Sequence, residues 1–226
     1  MSVESVIGKR SSAELVPLET SAKFSRIESV SAPILRTEIV DKTEYVRHRP
    51  LFSIWGDVAS AKFNLAMERR KPKEAARFMN SKTLLSILCQ PAIKDRLQTV
   101  FVRCMDEQRQ TVGFMLRSTP SQDTDGRWSV VIYYLVSAPQ HLASRFNPNR
   151  VHGIGRTLLQ EAENAVVEKG GGDIELESLP SSRFFYERCG FVLEDESCGD
   201  ADTPHLSMIK RVAPLAQKTL ADRPAA

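Results

Sequence analysis

Two glycines between two arginines carry the first chemical signal in this sequence. Arg150-Val151-His152-Gly153-Ile154-Gly155-Arg156 sets a Gly-x-Gly turn between cationic side chains. If a helix follows, its first-turn N–H groups lack backbone partners and point outward. Together with the helix dipole they favour an anion, above all a phosphate. Glycine lets such a group come close to the backbone. A lone Gly-x-Gly is weak, since most are merely tight turns. Neither the third glycine of a dinucleotide fingerprint nor a Gly-Lys-Ser/Thr accompanies it.

The surroundings strengthen the signal. Leu158, Leu159, Ala162, Ala165 and Val166 fall at i, i+1, i+4, i+7 and i+8, the apolar stripe of a helix with one buried face. Gly170-Gly171-Gly172 stops it. Ahead of the turn, Trp128 to Val136 is a near-continuous apolar run rich in β-branched and aromatic residues. It predicts a central strand covered on both faces. After the helix, Asp173 to Leu179 alternates as a second strand. The turn therefore lies inside a β-α-β unit. Alternation puts Glu175 and Glu177 on one face of that second strand. Two adjacent carboxylates on a covered face are costly unless one reaches water or a cation.

With these elements in place, the residues resemble a known family. Arg150-Val151-His152-Gly153-Ile154-Gly155 fits the Arg/Gln-x-x-Gly-x-Gly/Ala pattern of the GNAT superfamily of N-acetyltransferases. Phe185-Tyr186-Glu187-Arg188-Cys189-Gly190-Phe191 looks like its aromatic segment ending in glycine-phenylalanine, in the expected order and separation. The likeness covers about residues 35 to 212. It implies an α/β fold: a mixed, mostly antiparallel sheet flanked by helices, with one parallel β-α-β unit at the cofactor turn. It further implies transfer of an acetyl group from acetyl-CoA to a primary amine by direct attack. The backbone from Arg150 through Val151, His152, Gly153, Ile154, Gly155 and Arg156 would then hold the coenzyme pyrophosphate. Leu135, Val136 and Ser137 would bond the pantetheine arm through their backbone, where the strand splays from its neighbour. Tyr186 matches the family tyrosine that donates to the coenzyme sulfur. A phenol near pKa ten can protonate a thiolate and stay neutral at pH 7.

The base is less constrained. Glu177, nearer the strand's end, is the candidate, acting directly or through water in the cleft between the splayed strands. The competing reading is an exposed strand end or a salt bridge to an arginine. Tyr133 and Tyr134 are rivals, although tyrosines there are more often core. His152 reads as a surface residue or a phosphate contact. The segment from Pro139 to Asn149 lengthens the loop before the turn relative to many family members, and is expected to line the substrate mouth.

Elsewhere the chain reads as follows. Its 226 residues allow one domain with extensions. The expected division is a serine-rich tail over 1–32, an acetyltransferase domain over 33–212 and a loose tail over 213–226. Ile34 to Val40 predicts a strand. A helix is expected from Pro50, placed in its first turn, to Arg70. Two shorter helices are expected, from Lys73 toward Met79 and from Lys82 to Leu88, the latter capped by Ser81 and ended by Pro91. Thr99–Met105 and Thr111–Leu116 predict a hairpin, and the stretches around Val192 and Leu206 a final strand pair.

A net charge of +3 without a clustered basic face argues against nucleic acid. No apolar run matches a membrane span and no signal-peptide core is present. Four scattered cysteines and four histidines show no metal-ligand spacing, so no metal is expected. These features suit a cytoplasmic protein, with export by a bacterial secretion system through the serine-rich leader as the alternative. The acceptor, a small molecule or a protein, is not readable. The final strands offer an edge through which two copies could pair. A non-catalytic acyl-CoA-binding module, or a secreted effector enzyme acting on a host protein, would share the same motifs.

Overall fold

A computed structural model of the chain describes residues 34–90, 98–142, 150–195 and 205–214. The leader 1–32, Pro91, residues 143–149 of the expected substrate-mouth loop, Cys198 and the tail beyond Pro214 lie outside the described residues.

The described chain runs β1 (Arg36–Val40), α1 (Lys42–Glu68), α2 (Pro72–Leu88), β2 (Thr99–Met105), β3 (Thr111–Ser118), β4 (Ser121–Gln122) and β5 (Trp128–Ser137), then α3 (Ile154–Val167), β6 (Gly172–Ser178), α4 (Arg183–Arg188), β7 (Val192–Asp195) and β8 (Leu206–Val212). One sheet of order β1-β2-β3-β5-β6-β8-β7 results, with β4 beside β5. All its pairings are antiparallel except β5–β6. The expected mixed sheet with one parallel unit at the turn is what the chain forms.

Two apolar layers fix the sheet between helices. On one face, the α3 stripe of Leu158, Leu159, Ala162 and Val166 packs on Val130, Ile132, Ile174 and Leu176. On the other, Tyr45, Phe52 and Trp55 of α1 and Leu85 and Leu88 of α2 cover Phe101, Phe114, Leu116 and Val136. Tyr45 stacks on Phe101 with ring centroids 4.0 Å apart, and Phe52 meets Phe114 edge-on at 5.1 Å. Such pairs contribute about 0.5–1.5 kcal/mol each beyond burial.

The first half corrects two sequence expectations. Pro50 does not open a helix; it lies inside α1, which begins eight residues earlier. The Asp41 carboxylate caps that start by accepting the Glu44 N–H at 2.7 Å. An interior proline costs a helix about 3 kcal/mol. The turn before it is nevertheless held by tertiary contacts. Tyr45 is fully buried and its hydroxyl donates to the Leu88 carbonyl. Arg103 of β2 pairs with both Glu38 of β1 and Glu44 of α1. The two short helices expected between Lys73 and Leu88 are one. No glycine or proline interrupts α2, and Ser81 is buried within it and caps nothing.

Candidate active site

The site grows out of a change of register. Leu116 pairs with Tyr134 and Arg117 with Ile132, so Tyr133 is an extra, bulged residue on β5. The displaced Val131 N–H donates to the Ser118 hydroxyl at 2.9 Å. Beyond this point β5 and β6 part. Their parallel pairing runs from Trp128↔Gly172 to Ile132↔Leu176 and stops, while β5 continues along β3 to Ser137. The Ala138 N–H bonds to the Val112 carbonyl at 2.8 Å. By antiparallel alternation Val136 then also turns its backbone to β3, whereas Leu135 and Ser137 turn theirs to the opening. Tyr133, 39% exposed, stands on the helix-free part of the sheet. The expectation of a strand covered on both faces therefore fails there, because α1 and α2 cover only the β1-to-β5 side.

At the open end of β5 lies the glycine turn. Gly153 is the N-cap of α3, with φ of +87°, a backbone conformation L side chains rarely adopt. No side chain caps the helix, so the first-turn amides of Ile154, Gly155 and Arg156 have no intrahelical acceptor. His152, Gly153 and Arg156 are exposed around them. The Nε of Arg150 is buried without a hydrogen-bond partner among the described residues. A solvent-facing helix start, an adjacent arginine and an orphaned guanidinium nitrogen fit a phosphate group. Gly155 has a second reason to be glycine: a Cβ there would lie 2.8 Å from the Phe185 ring. The amide of Val151 differs from its neighbours, since it donates to His141 Nδ1 at 3.3 Å. Burial lowers the His141 pKa, which keeps that nitrogen an acceptor.

Packing of Phe185 over Gly155 brings α4 to the start of α3. Leu135, Val151, Phe185 and Tyr186 all pack against the α3-side core. The half-buried Tyr186 ring meets Phe185 and Phe191 edge-on, at 5.0 and 5.7 Å. Burial pushes its phenol up to about 12, with Cys189 adding to the shift.

Glu175 and Glu177 point to the opposite face, as their alternation with buried Ile174 and Leu176 requires. Both are exposed. The Glu177 side chain is 69% accessible and lies 3.2 Å from His205 Nδ1, so its partner is a histidine just before the neighbouring strand β8 rather than an arginine. The Glu175 carboxyl is raised by burial, then by Glu194, Asp173 and Asp123. Tyr134 packs against the α1/α2 core, whereas Tyr133 is exposed.

Contacts invisible to local sequence patterns frame the opening. Arg117 of β3 is 3% exposed and grips Glu161 of α3 with two bonds, at 2.9 and 2.7 Å. Lys210 of β8 joins Glu163 of α3 to the Cys189 carbonyl at the end of α4. From the other side, Lys62 of α1 donates to the Pro139 carbonyl just past β5, and Asn80 of α2 to the Ser181 hydroxyl just past β6. The two helices thus reach the chain just past the ends of both strands.

The sheet thus parts beside an uncapped, glycine-initiated helix. Residues 82–212 match the family described as "Acetyltransferase (GNAT) domain", more than half of the chain, and the protein belongs to that family of acyltransferases. No curated protein matches by sequence. Among solved structures, nourseothricin acetyltransferase is 22% identical over 51% of this chain and 66% of its own, with a TM-score of 0.40. PaiA N-acetyltransferase from Thermoplasma acidophilum, in complex with coenzyme A, is 17% identical over 79% and 99%, with a TM-score of 0.46. Spermidine N-acetyltransferase from Vibrio cholerae, in complex with CoA and spermine, is 16% identical over 78% and 95%, with a TM-score of 0.47. Among the described residues no helix is long and apolar enough to cross a membrane.

Proposed function

We propose that residues 33–212 form an N-acetyltransferase domain that moves the acetyl group of acetyl-CoA to a primary amine by direct attack. The observation that carries this reading is the parting of β5 from β6 after Ile132 and Leu176, beside an α3 start opened by Gly153. The amides of Ile154 to Arg156, with the Arg150 and Arg156 side chains, would hold the pyrophosphate. Leu135 and Ser137 offer backbone donors and acceptors along the opening to an extended pantetheine arm. Acetyl-CoA supplies a thioester whose carbonyl an amine can attack. The chain's part is to align the two reactants, remove a proton from the amine and neutralise charge on the departing sulfur.

The two proton-handling groups approach from opposite faces of the sheet. Tyr186 lies on the α3 side, where a sulfur held along β5 can be met by its hydroxyl. Glu177 lies on the solvent-filled side, where an amine enters. Its hydrogen bond with His205 orients the carboxylate and gives the proton a path to water. Glu177 acts on the amine directly or through one water.

The test is release of free thiol from acetyl-CoA against a panel of primary amines, comparing wild type with Glu177→Gln. Loss of a general base is expected to lower kcat by about 10²-fold or more. Glu175→Gln, on the same strand face, should leave kcat nearly unchanged. Equal loss in both variants, or none in Glu177→Gln, would remove Glu177 as the specific base.

A further inference from the structure

Between the last turns of α1 and the first turns of α2 lies a cleft of about 410 Å³. That size suits a small organic ligand. Leu65, Ala66 and Phe78 give it an apolar floor, and Lys62, Arg69 and Lys71 stand around them. The one carboxylate there, Glu74, lies 3.6 Å from Lys71, so that pair is close to neutral. Two positive charges remain. Lys62 donates to the uncharged Pro139 carbonyl, at 3.2 Å, lies 5.6 Å from the Phe78 ring centroid, and feels Glu74 without forming a close ion pair with it. Arg69 is exposed at the rim and has no carboxylate partner among the described residues. Burial lowers the Lys62 pKa, a cost that an arriving anion would offset.

The position of the cleft ties it to the reaction. Lys62 touches the chain two residues past Ser137, on the strand whose backbone lines the opening. Phe78 sits on the same helix as Asn80, which bonds to Ser181 just past β6. The cleft therefore reaches the end of β5 through Lys62, on the Glu177 side of the sheet, and shares α2 with the contact to the end of β6.

We propose that this cleft seats the carboxylate of the acceptor, so that the acceptor is an amine that also carries a carboxylate and an apolar portion between or beside them. Lys62 and Arg69 bind the anion, and Leu65 and Phe78 bind the apolar portion. The amine is then left free to extend toward the β5–β6 opening. This inference rests on the acetyl-transfer reading and narrows its substrate class; polyamines, which bring only positive charge, are poor fits to the cleft.

The experiment uses the full chain with acetyl-CoA and offers L-leucine and L-phenylalanine, each against its primary amide, which keeps the shape and removes the charge. A charge-assisted contact of this kind should favour the carboxylate by about 10- to 100-fold in kcat/KM. Arg69→Glu should erase or invert that preference. Stabilisation of the coenzyme A-saturated protein against heat by each member of a pair reads the same preference without turnover. Amides that match or beat the carboxylates in both measurements, or a preference that survives Arg69→Glu, would overturn the inference. Coenzyme A alone is run on the same samples. If coenzyme A stabilises and no carboxylate preference is seen, only this inference falls. If coenzyme A does not stabilise, the acetyl-transfer reading falls and takes the acceptor assignment with it.

Discussion

Replacing Tyr186 by phenylalanine is expected to lower kcat for acetyl transfer by about 10²- to 10⁴-fold while leaving the protein folded. The ring keeps its contacts with Phe185 and Phe191, and only the hydroxyl is lost. The direction of the Tyr186 pKa says how that hydroxyl works. Burial raises it to about 12, so it is protonated throughout the neutral range. A free thiol has a pKa of about 8.5, well below that of a phenol raised by burial, so full proton transfer from Tyr186 to a thiolate would run uphill. On the proposed reading, Tyr186 would contribute by donating a hydrogen bond to the sulfur as charge develops, with the proton moving only as far as that charge pulls it. Removing one donor aimed at developing charge costs about 10²–10³-fold elsewhere, within the same range.

The sign of the shift gives a second reading of the same variant. A phenol raised above its unfolded value keeps its proton in the native state while the unfolded chain releases one. The contribution to stability is present below about pH 10 and is lost as pH rises above it. Wild type should thus lose more stability above pH 10 than Tyr186→Phe does. Its kcat should show no alkaline decline from this group below that pH. A Tyr186→Phe kcat within about threefold of wild type would remove the tyrosine from the chemistry, since even a modest general acid exceeds that.

The second large effect is structural. Arg117→Met should destabilise the protein by about 3–5 kcal/mol, because it strands the Glu161 carboxylate in a nearly enclosed place. At roughly 2–4 °C per kcal/mol for a chain of this size, the unfolding temperature falls by about 6–20 °C. The double change Arg117→Met with Glu161→Leu should recover most of this, since replacing both ions by apolar groups of similar volume is often neutral. The pair also has a consequence for the site. It ties α3 to β3 two turns below the glycine start, so the single variant should raise KM for acetyl-CoA more than it lowers kcat. A double variant as unstable as the single one would mean that the guanidinium matters for something other than Glu161, such as its bond to the Ser118 carbonyl.

What the sequence disclosed follows from how local each signal is. The α3 stripe, the alternation of β6 and the glycine turn are each written within a dozen residues, and they locate the parallel unit and the candidate phosphate site. Periods of two and 3.6 need no partner to be read. The first half was harder because α1 and α2 gain their order from contacts across the sheet. Pro50 looked like a helix start because a proline rule outweighed an Asp41 cap followed by mostly polar residues. Ser81 looked like a cap because serine often is one, yet nothing nearby breaks the helix. The framing contacts could not be read at all. Arg117 and Glu161 are 44 positions apart, Glu177 and His205 are 28 apart, and Asn80 and Ser181 are 101 apart. Glu177 itself was legible from alternation, but its histidine partner depends on the β6–β8 register. The role of Gly155 was only half visible: its closeness to Phe185 is a packing demand that no turn rule contains.

The central claim is that the α3 start and the β5–β6 opening hold acetyl-CoA. Thermal unfolding of the purified full chain, with and without acetyl-CoA, tests it most directly. Ligand at about 100 times its dissociation constant adds about 2.7 kcal/mol of stability. For this chain length that is a rise of about 5–10 °C in unfolding temperature. The rise should vanish in Gly153→Val, whose side chain is forced into a backbone conformation it disfavours at the phosphate turn. A wild-type protein whose unfolding temperature does not move in millimolar acetyl-CoA would contradict the account.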